Sequence, residues 1–166
     1  MKPMQGLMKT KSFDNLNTPL NAIKALIPFI PQEVGVIWEC CDPGNSLIST
    51  VLRENNYEVK SSDIKSGNNF LNSTDCFCDA IVTNPPFSLK TKFLEKCFKL
   101  DKPFALLLPL TSLGGQVRNS LFAHYGISVI ILDKRIDFTG KGAPWFPVGW
   151  FTWKFFQDNT LKFVEV

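Results

Sequence analysis

Residues 79–87 read Asp-Ala-Ile-Val-Thr-Asn-Pro-Pro-Phe. The first five form a short apolar run of the kind found in a strand covered on both faces. The run passes without a break into Asn84-Pro85-Pro86-Phe87. Residues 88–100 then carry a helical pattern: Leu89, Phe93, Leu94, Cys97 and Phe98 fall on one face, and Lys90, Lys92, Lys96 and Lys99 fall outside it. At about 5% proline per position, a chain of this length contains Pro-Pro roughly 0.4 times by chance, so the information lies in the whole string and its place between strand and helix. Two prolines remove two backbone donors and stiffen the turn. The carbonyls of Asn84 and Pro85 are then held as acceptors beside the Asn84 amide oxygen, and Phe87 offers a ring face. Such a set can hold a planar amino group and stack its ring.

Outward from this stretch, apolar runs alternate with helical patterns. Thr18-Pro19 reads as a helix start, with Thr18 as the cap and Pro19 in the first turn. Leu20, Ile23, Leu26 and Ile27 make its stripe, and Pro28 and Pro31 end it. Residues 34–40 are a buried strand followed by the turn Asp42-Pro43-Gly44-Asn45. Ser46 caps a helix with Leu47, Ile48, Val51 and Leu52 on its apolar face. Further strands are expected at 57–64, 104–110, 129–132 and 148–156, with a short one at Phe70-Leu71 and a helix near 116–124. Trp150 and Trp153 alternate with Phe151 and Phe155 and read as packing. The alternation predicts a mostly parallel sheet wrapped by helices on both faces. Residues 1–16 read as a flexible arm, and 17–166 as one domain.

Composition narrows the function classes. Hydrophobic residues make up 45% and charged residues 20% of 166, a globular balance rather than a disordered one. The longest apolar runs, such as 104–108, are far too short to span a membrane, and the first residues lack the apolar core of a signal peptide, so a cytoplasmic protein is expected. The net charge of +3 permits a polyanionic partner without demanding one. Five cysteines and one histidine form no paired zinc framework. Cys76-Phe-Cys78 is the nearest approach to a chelating pair, and it reads better as reduced cysteines, so no metal is expected. With His124 the one histidine, a Ser-His-Asp hydrolase is not expected.

In open α/β sheets, ligands sit at the carboxyl ends of the strands. Glu39 ends the first strand, Asp63 the second about two dozen residues on, and Asn84-Pro85-Pro86-Phe87 the next long one. A carboxylate at the second strand end is the usual partner of a ribose, because it accepts both hydroxyl protons.

On these residues the chain resembles the S-adenosylmethionine-dependent amino-methyltransferases, in particular the N6-adenine DNA methyltransferases. Their catalytic signature, Asp/Asn/Ser-Pro-Pro-aromatic, is matched by Asn84-Pro85-Pro86-Phe87. The family's Thr-Pro helix falls on Thr18-Pro19, its cofactor loop follows Trp38-Glu39, and its ribose acid falls on Asp63. Its adenine contact falls on Asn69 before Phe70-Leu71. This is the family's gamma order, and the likeness covers roughly residues 18–156. It implies a Rossmann-like methyltransferase fold with a seven-stranded sheet, mostly parallel with an antiparallel last strand. It implies S-adenosyl-L-methionine as cofactor, contacted by Thr18, Pro19, Glu39, Cys41, Gly44 and Asn45 on one side and by Asp63, Ile64, Asn69, Phe70 and Asn84 on the other. The implied reaction is methyl transfer to an exocyclic amine, adenine N6 in DNA first. The alternatives are an RNA base, a protein glutamine, or a catalytically impaired binding module for a nucleic acid or partner.

The chain departs from the family at the loop Glu39-Cys40-Cys41-Asp42-Pro43-Gly44-Asn45. The usual pattern is Glu-Pro-x-x-Gly-x-Gly, and here Pro43 and Asn45 stand where its glycines fall. Asn45 is the replacement able to take a positive φ, whereas Pro43 cannot. Cofactor binding is expected to persist, because Glu39, Asp63 and the catalytic motif are intact. On the substrate side, Lys90 and Arg118 are candidates for phosphate contact. Trp145 or Phe146, from the aromatic loop of residues 138–146, is a candidate to sandwich a base opposite Phe87. The sheet and its loops take up nearly everything from 18 to 156. No separate target-recognition domain is therefore expected, and specificity would come from short loops, a separate subunit or a homodimer.

Overall fold

Two apolar strands set the centre of the structure. The computed structural model describes residues 17–74, 77–142 and 146–166. The arm expected at residues 1–16, together with Cys76 and Trp145, lies outside the described residues. Strand β3 (Ala80–Thr83) and strand β4 (Phe104–Pro109) are buried at every position, so both faces of the sheet are covered there. Around them lie α1 (Leu20–Leu26), β1 (Val36–Glu39), α2 (Leu47–Glu54), β2 (Glu58–Ser61), α3 (Lys90–Leu100), α4 (Gln116–Tyr125), β5 (Ser128–Leu132), β6 (Val148–Trp153) and β7 (Leu161–Val164).

The seven strands form one sheet in the order β2-β1-β3-β4-β6-β5-β7. Pairing is parallel from β2 to β4 and between β5 and β7, while β6 runs antiparallel to both its neighbours. The pleat sorts the core into two layers. Ala105 and Leu107 pack with Ile23, Leu26, Ile48 and Leu52 of α1 and α2. Phe104, Leu106 and Leu108 pack on the other face with Phe93, Leu94, Cys97 and Phe98 of α3. Among the described residues no helix is long and apolar enough to cross a membrane.

Several local expectations are corrected. Pro19, not Thr18, is the N-cap of α1, and no side chain caps the helix; Thr18 is buried instead. Phe70-Leu71 is not a strand but part of a 3-10 turn, Phe70–Asn72. The Asn69 side chain accepts the Leu71 amide at 3.0 Å, which bends the chain out of an extended path. The turn seats the Phe70 ring against Phe93, stacked at 5.0 Å, and Trp38, edge-on at 5.2 Å. The run at 148–156 ends early, because Lys154 takes a φ of +58° and turns the chain. The chain then returns as β7, a strand that sequence reasoning missed. Its Leu161 and Phe163 are exposed, so no buried alternation marks it.

Trp150 ties the two ends of the fold together: it is fully buried in β6, and its indole Nε1 donates to the Ala22 carbonyl of α1 at 2.7 Å. Trp150→Phe should lower stability by about 1–3 kcal/mol through loss of this buried bond and the smaller ring. Urea unfolding checks it, and a change under about 0.5 kcal/mol, the scale of an ordinary surface substitution, would contradict it.

Candidate functional site

The strand order places the carboxyl ends of β2, β1 and β3 side by side. Glu39 sits at the end of β1 and is only 2% exposed. Its Oε1 accepts the Cys41 amide at 3.0 Å and the Thr83 hydroxyl from the end of β3, while its Oε2 accepts the Ser46 hydroxyl at 2.9 Å. Burial pushes its carboxyl up from 4.5 to about 7, and the hydrogen bonds from Thr83, Cys41 and Ser46 oppose that rise only in part.

The loop after Glu39 folds around a second carboxylate. Asp42 Oδ1 accepts the amides of Gly44 (2.7 Å) and Ser46 (2.9 Å), and Oδ2 accepts the Ser49 hydroxyl. Desolvation works against ionisation of Asp42, but the bonds from Ser49, Ser61 and the two amides outweigh it and hold its carboxyl below the usual range. The positive φ that the turn needs, +106°, falls on Gly44; Asn45, expected to take that conformation, does not take it. Ser46 also caps α2, accepting the Ile48 amide at 3.2 Å. Three amides of this loop, those of Cys41, Gly44 and Ser46, therefore point at side chains of the loop itself.

A cavity of about 280 Å³ opens beside the loop. Cys40, Cys41 and Pro43 line it from the β1 end, Asp63, Ile64 and Lys65 from the β2 end, and Asn69, Phe70 and Leu71 from the following turn. Asn84, Pro86, Leu89 and Phe93 close it from the β3 side, and Asn17 reaches it from the chain before α1. Asp63 Oδ1 accepts the Lys65 amide at 2.8 Å, which holds the carboxylate at the start of a 3-10 turn. Ile64, 64% exposed, presents an apolar side chain at the cavity rim. Of the residues expected to meet a cofactor, Cys41, Asp63, Ile64, Asn69, Phe70 and Asn84 line this cavity, whereas Thr18, Pro19, Glu39, Gly44 and Asn45 do not. Glu39 shapes the loop from its buried side, and Gly44 shapes it through its backbone turn.

On the far side of the Asn-Pro-Pro turn, Pro85 is buried and Phe87 half-buried. Phe87 meets Phe138 at 6.2 Å and 83°, and Phe146 at 5.7 Å and 67°. A base held flat between two rings needs them parallel and roughly 7 Å apart, two van der Waals contacts. Phe87 and Phe146 instead touch edge to face, so the expected sandwich is not open here. Lys90 Nζ donates back to the Phe87 carbonyl at 3.1 Å. Arg118, expected on a phosphate, is built into the fold: it donates to the Ser112 carbonyl (2.8 Å), the Thr91 hydroxyl (2.9 Å) and the Gly114 carbonyl. Sequence reasoning missed Asp42, Asn17 and Lys65. Only Asp42 carried a signal, as an acid two residues before a glycine and four before a helix cap.

No protein-family model and no curated protein sequence matches the chain. Solved structures do. The methyltransferase subunit of a type I restriction-modification system from Streptococcus thermophilus superposes with a TM-score of 0.59 at 14% identity, over 90% of this chain and 47% of that one. A protein described as a class I S-adenosylmethionine-dependent methyltransferase from Listeria monocytogenes gives 0.61 at 13% identity, over 96% and 68%. A protein described as an RNA methyltransferase from Pyrococcus horikoshii gives 0.52 at 14% identity, over 92% and 91%. The chain spans about half the length of the restriction-modification subunit. At this identity the likeness shows the fold: a mostly parallel Rossmann-like sheet of the methyltransferase type.

Glu39 makes the stability of this fold depend on pH. The unfolded chain ionises it near 4.5 and the folded chain near 7, so the folded state holds the extra proton between them. Stability should fall as pH rises through that window, by about 3 kcal/mol, and level off above it. Glu39→Gln should abolish this slope. Urea midpoints across the window, compared between the two proteins, check it; parallel curves would refute it.

Proposed function

We propose that this chain is an S-adenosylmethionine-dependent methyltransferase acting on an exocyclic amine, with adenine N6 in DNA as the leading substrate. One observation carries the reading: a single cavity joins the acid after β2 to the Asn84-Pro86 turn after β3. Its lining fits the cofactor chemically. Asp63 offers a carboxylate to ribose hydroxyls, Ile64, Phe70 and Leu71 offer apolar surface to a purine, and Asn84 stands at the opposite wall. S-adenosylmethionine, when bound, supplies a methyl group carried on a positively charged sulfur.

The chain's own residues act on the amine. An amino group conjugated to an aromatic ring is a poor nucleophile, because its lone pair is delocalised into the ring. The Asn84 side-chain oxygen and the Pro85 carbonyl would accept hydrogen bonds from its two N–H groups and favour a tetrahedral nitrogen, whose lone pair is then free to take the methyl group as the carbon–sulfur bond breaks; the extra proton on that nitrogen would leave to solvent past the same acceptors. The two prolines hold these acceptors stiffly, so they need little reorganisation as the nitrogen changes shape. No strong base is required, and orientation does most of the work. A base in a duplex would leave its stack to reach Phe87. Sequence recognition would come from short loops, a homodimer or a separate specificity subunit. The methyltransferase subunit from Streptococcus thermophilus, itself part of a larger system, supports the last.

A second reading has its own support. The loop amides of Cys41, Gly44 and Ser46 are bonded to Glu39 and Asp42, which leaves fewer donors for a cofactor. In that reading the chain binds a nucleic acid or a partner without turnover.

Transfer of radiolabelled methyl groups to duplex DNA, RNA and total protein separates the readings, with the product nucleoside identified by mass. Label should enter DNA as N6-methyladenine, and Asn84→Ala should lower the rate by roughly a hundredfold or more. Label in RNA or protein instead would move the substrate to the alternative acceptors. Label that survives Asn84→Ala would remove the catalytic assignment, and no label with intact nucleic-acid binding would establish the second reading.

A further inference from the structure

The loop after β5 is tied by one side chain that does not line the cavity. Asp137 Oδ1 accepts the Thr139 amide (2.9 Å), the Thr139 hydroxyl (2.8 Å) and the Gly140 amide (3.1 Å), and Oδ2 accepts the Gly142 amide. Gly140 and Gly142 take φ values of +67° and +73°, which lets the chain curl back over the carboxylate. The Thr139 hydroxyl and the Gly142 amide lead the bonds that hold the Asp137 carboxyl below its ordinary range. On the other side of Asp137, Ile136 is buried in the core. Phe138 lies inside the knotted segment and meets the Phe87 ring nearly at right angles, at 6.2 Å. Phe138 is the one apolar side chain of the segment and packs half-buried against the core, while the carboxylate gathers the threonine and glycine backbone that follows it.

We infer that Asp137 is a positioning residue for the amine substrate: by knotting residues 137–142 it holds Phe138 against Phe87, and the two rings together form the wall on which the substrate ring is seated. The inference rests on the methyltransferase reading above. Asp137 touches no reacting group and acts only through Phe138. Phe146 closes the same wall from the other flank at 5.7 Å, so a ring that enters must move an edge that the knot keeps in place. Phe138 thereby joins Phe87 as a determinant of which flat ring is accepted.

The test uses the full chain with Asp137→Ala, Phe138→Ala and Phe138→Tyr, and the Asp137→Ala/Phe138→Ala double variant. Three quantities are measured: amide exchange at Thr139, Gly140 and Gly142, the nuclear Overhauser contact between the Phe87 and Phe138 rings, and steady-state methyl transfer. Asp137→Ala should speed exchange at all three amides and erase the ring contact. It should raise KM for the nucleic acid roughly tenfold or more, the scale of one lost base–aromatic stack, while affinity for S-adenosylmethionine stays unchanged. Phe138→Ala should do the same to KM, Phe138→Tyr should restore it, and the double variant should be no worse than Phe138→Ala, because both changes remove one contact. Should Asp137→Ala fail to fold, Asp137→Asn keeps one acceptor oxygen and gives the same readout at smaller amplitude. An active wild-type chain whose KM ignores Asp137→Ala, or whose two losses add, overturns the inference alone. A wild-type chain that methylates no acceptor overturns the methyltransferase reading and the inference with it.

Discussion

A carboxylate buried at the end of a strand must find donors or give up its charge, and Glu39 does some of each. Its donors come from different parts of the chain: the Cys41 amide just beyond β1, the Ser46 hydroxyl at the head of α2, and the Thr83 hydroxyl at the end of β3. Satisfying that one group fixes how β1, β3 and α2 meet. Because β1 and β3 are neighbours in the sheet, the same contact also sets the distance between the loop at Cys41 and the turn at Asn84. These are two walls of the cavity. The site is therefore built on a polar contact in the layer beneath it.

Asp42 extends this logic to the loop itself. A glycine-rich loop can offer its amides to a ligand. Here the amides of Gly44 and Ser46 close on Asp42, and the single residue with positive φ in the turn is Gly44. The loop is held by carboxylates where a glycine-rich one would be shaped by backbone freedom. In the proposed function, recognition in the cavity then falls more heavily on Asp63, Ile64, Asn69 and Asn84, which line it. A third carboxylate, Asp137, shapes the loop over Phe87 in the same manner. Asp42 and Asp137 lie in loops beyond strand ends, where a single acceptor can gather several amides that have no ladder partner.

Much of the framework was legible because it rests on local rules. The continuous apolar runs that became β3 and β4 reflect burial on both faces, and Ser46 lies where a helix needs a cap. Asp63, Asn69 and Asn84 line the cavity because a parallel sheet brings the ends of its strands to one edge. Other features depend on partners far away in sequence. Thr18 reads as a cap but is buried, and Arg118 reads as a free cation but donates to Ser112, Thr91 and Gly114. Phe70-Leu71 has strand-like residues, yet the Asn69 side chain turns it into a plug beneath the cavity. Strand β7 is invisible to periodicity, because its Leu161 and Phe163 stay exposed and Val164 alone of its side chains packs on the core.

By itself, then, the sequence determined the strands and helices from α1 to β6, the two-faced sheet and the Asn-Pro-Pro-Phe turn, since these follow from period, capping and the geometry of proline, but neither the turn at Phe70 nor β7. Tertiary structure alone decided that Glu39 is buried away from the cavity while Cys41, Asp63 and Asn84 line it, and that Phe87 meets Phe138 and Phe146 edge to face. The reason is physical. Period and capping act over a few residues, whereas the direction of a side chain at a strand end is set by which distant donor or ring completes it.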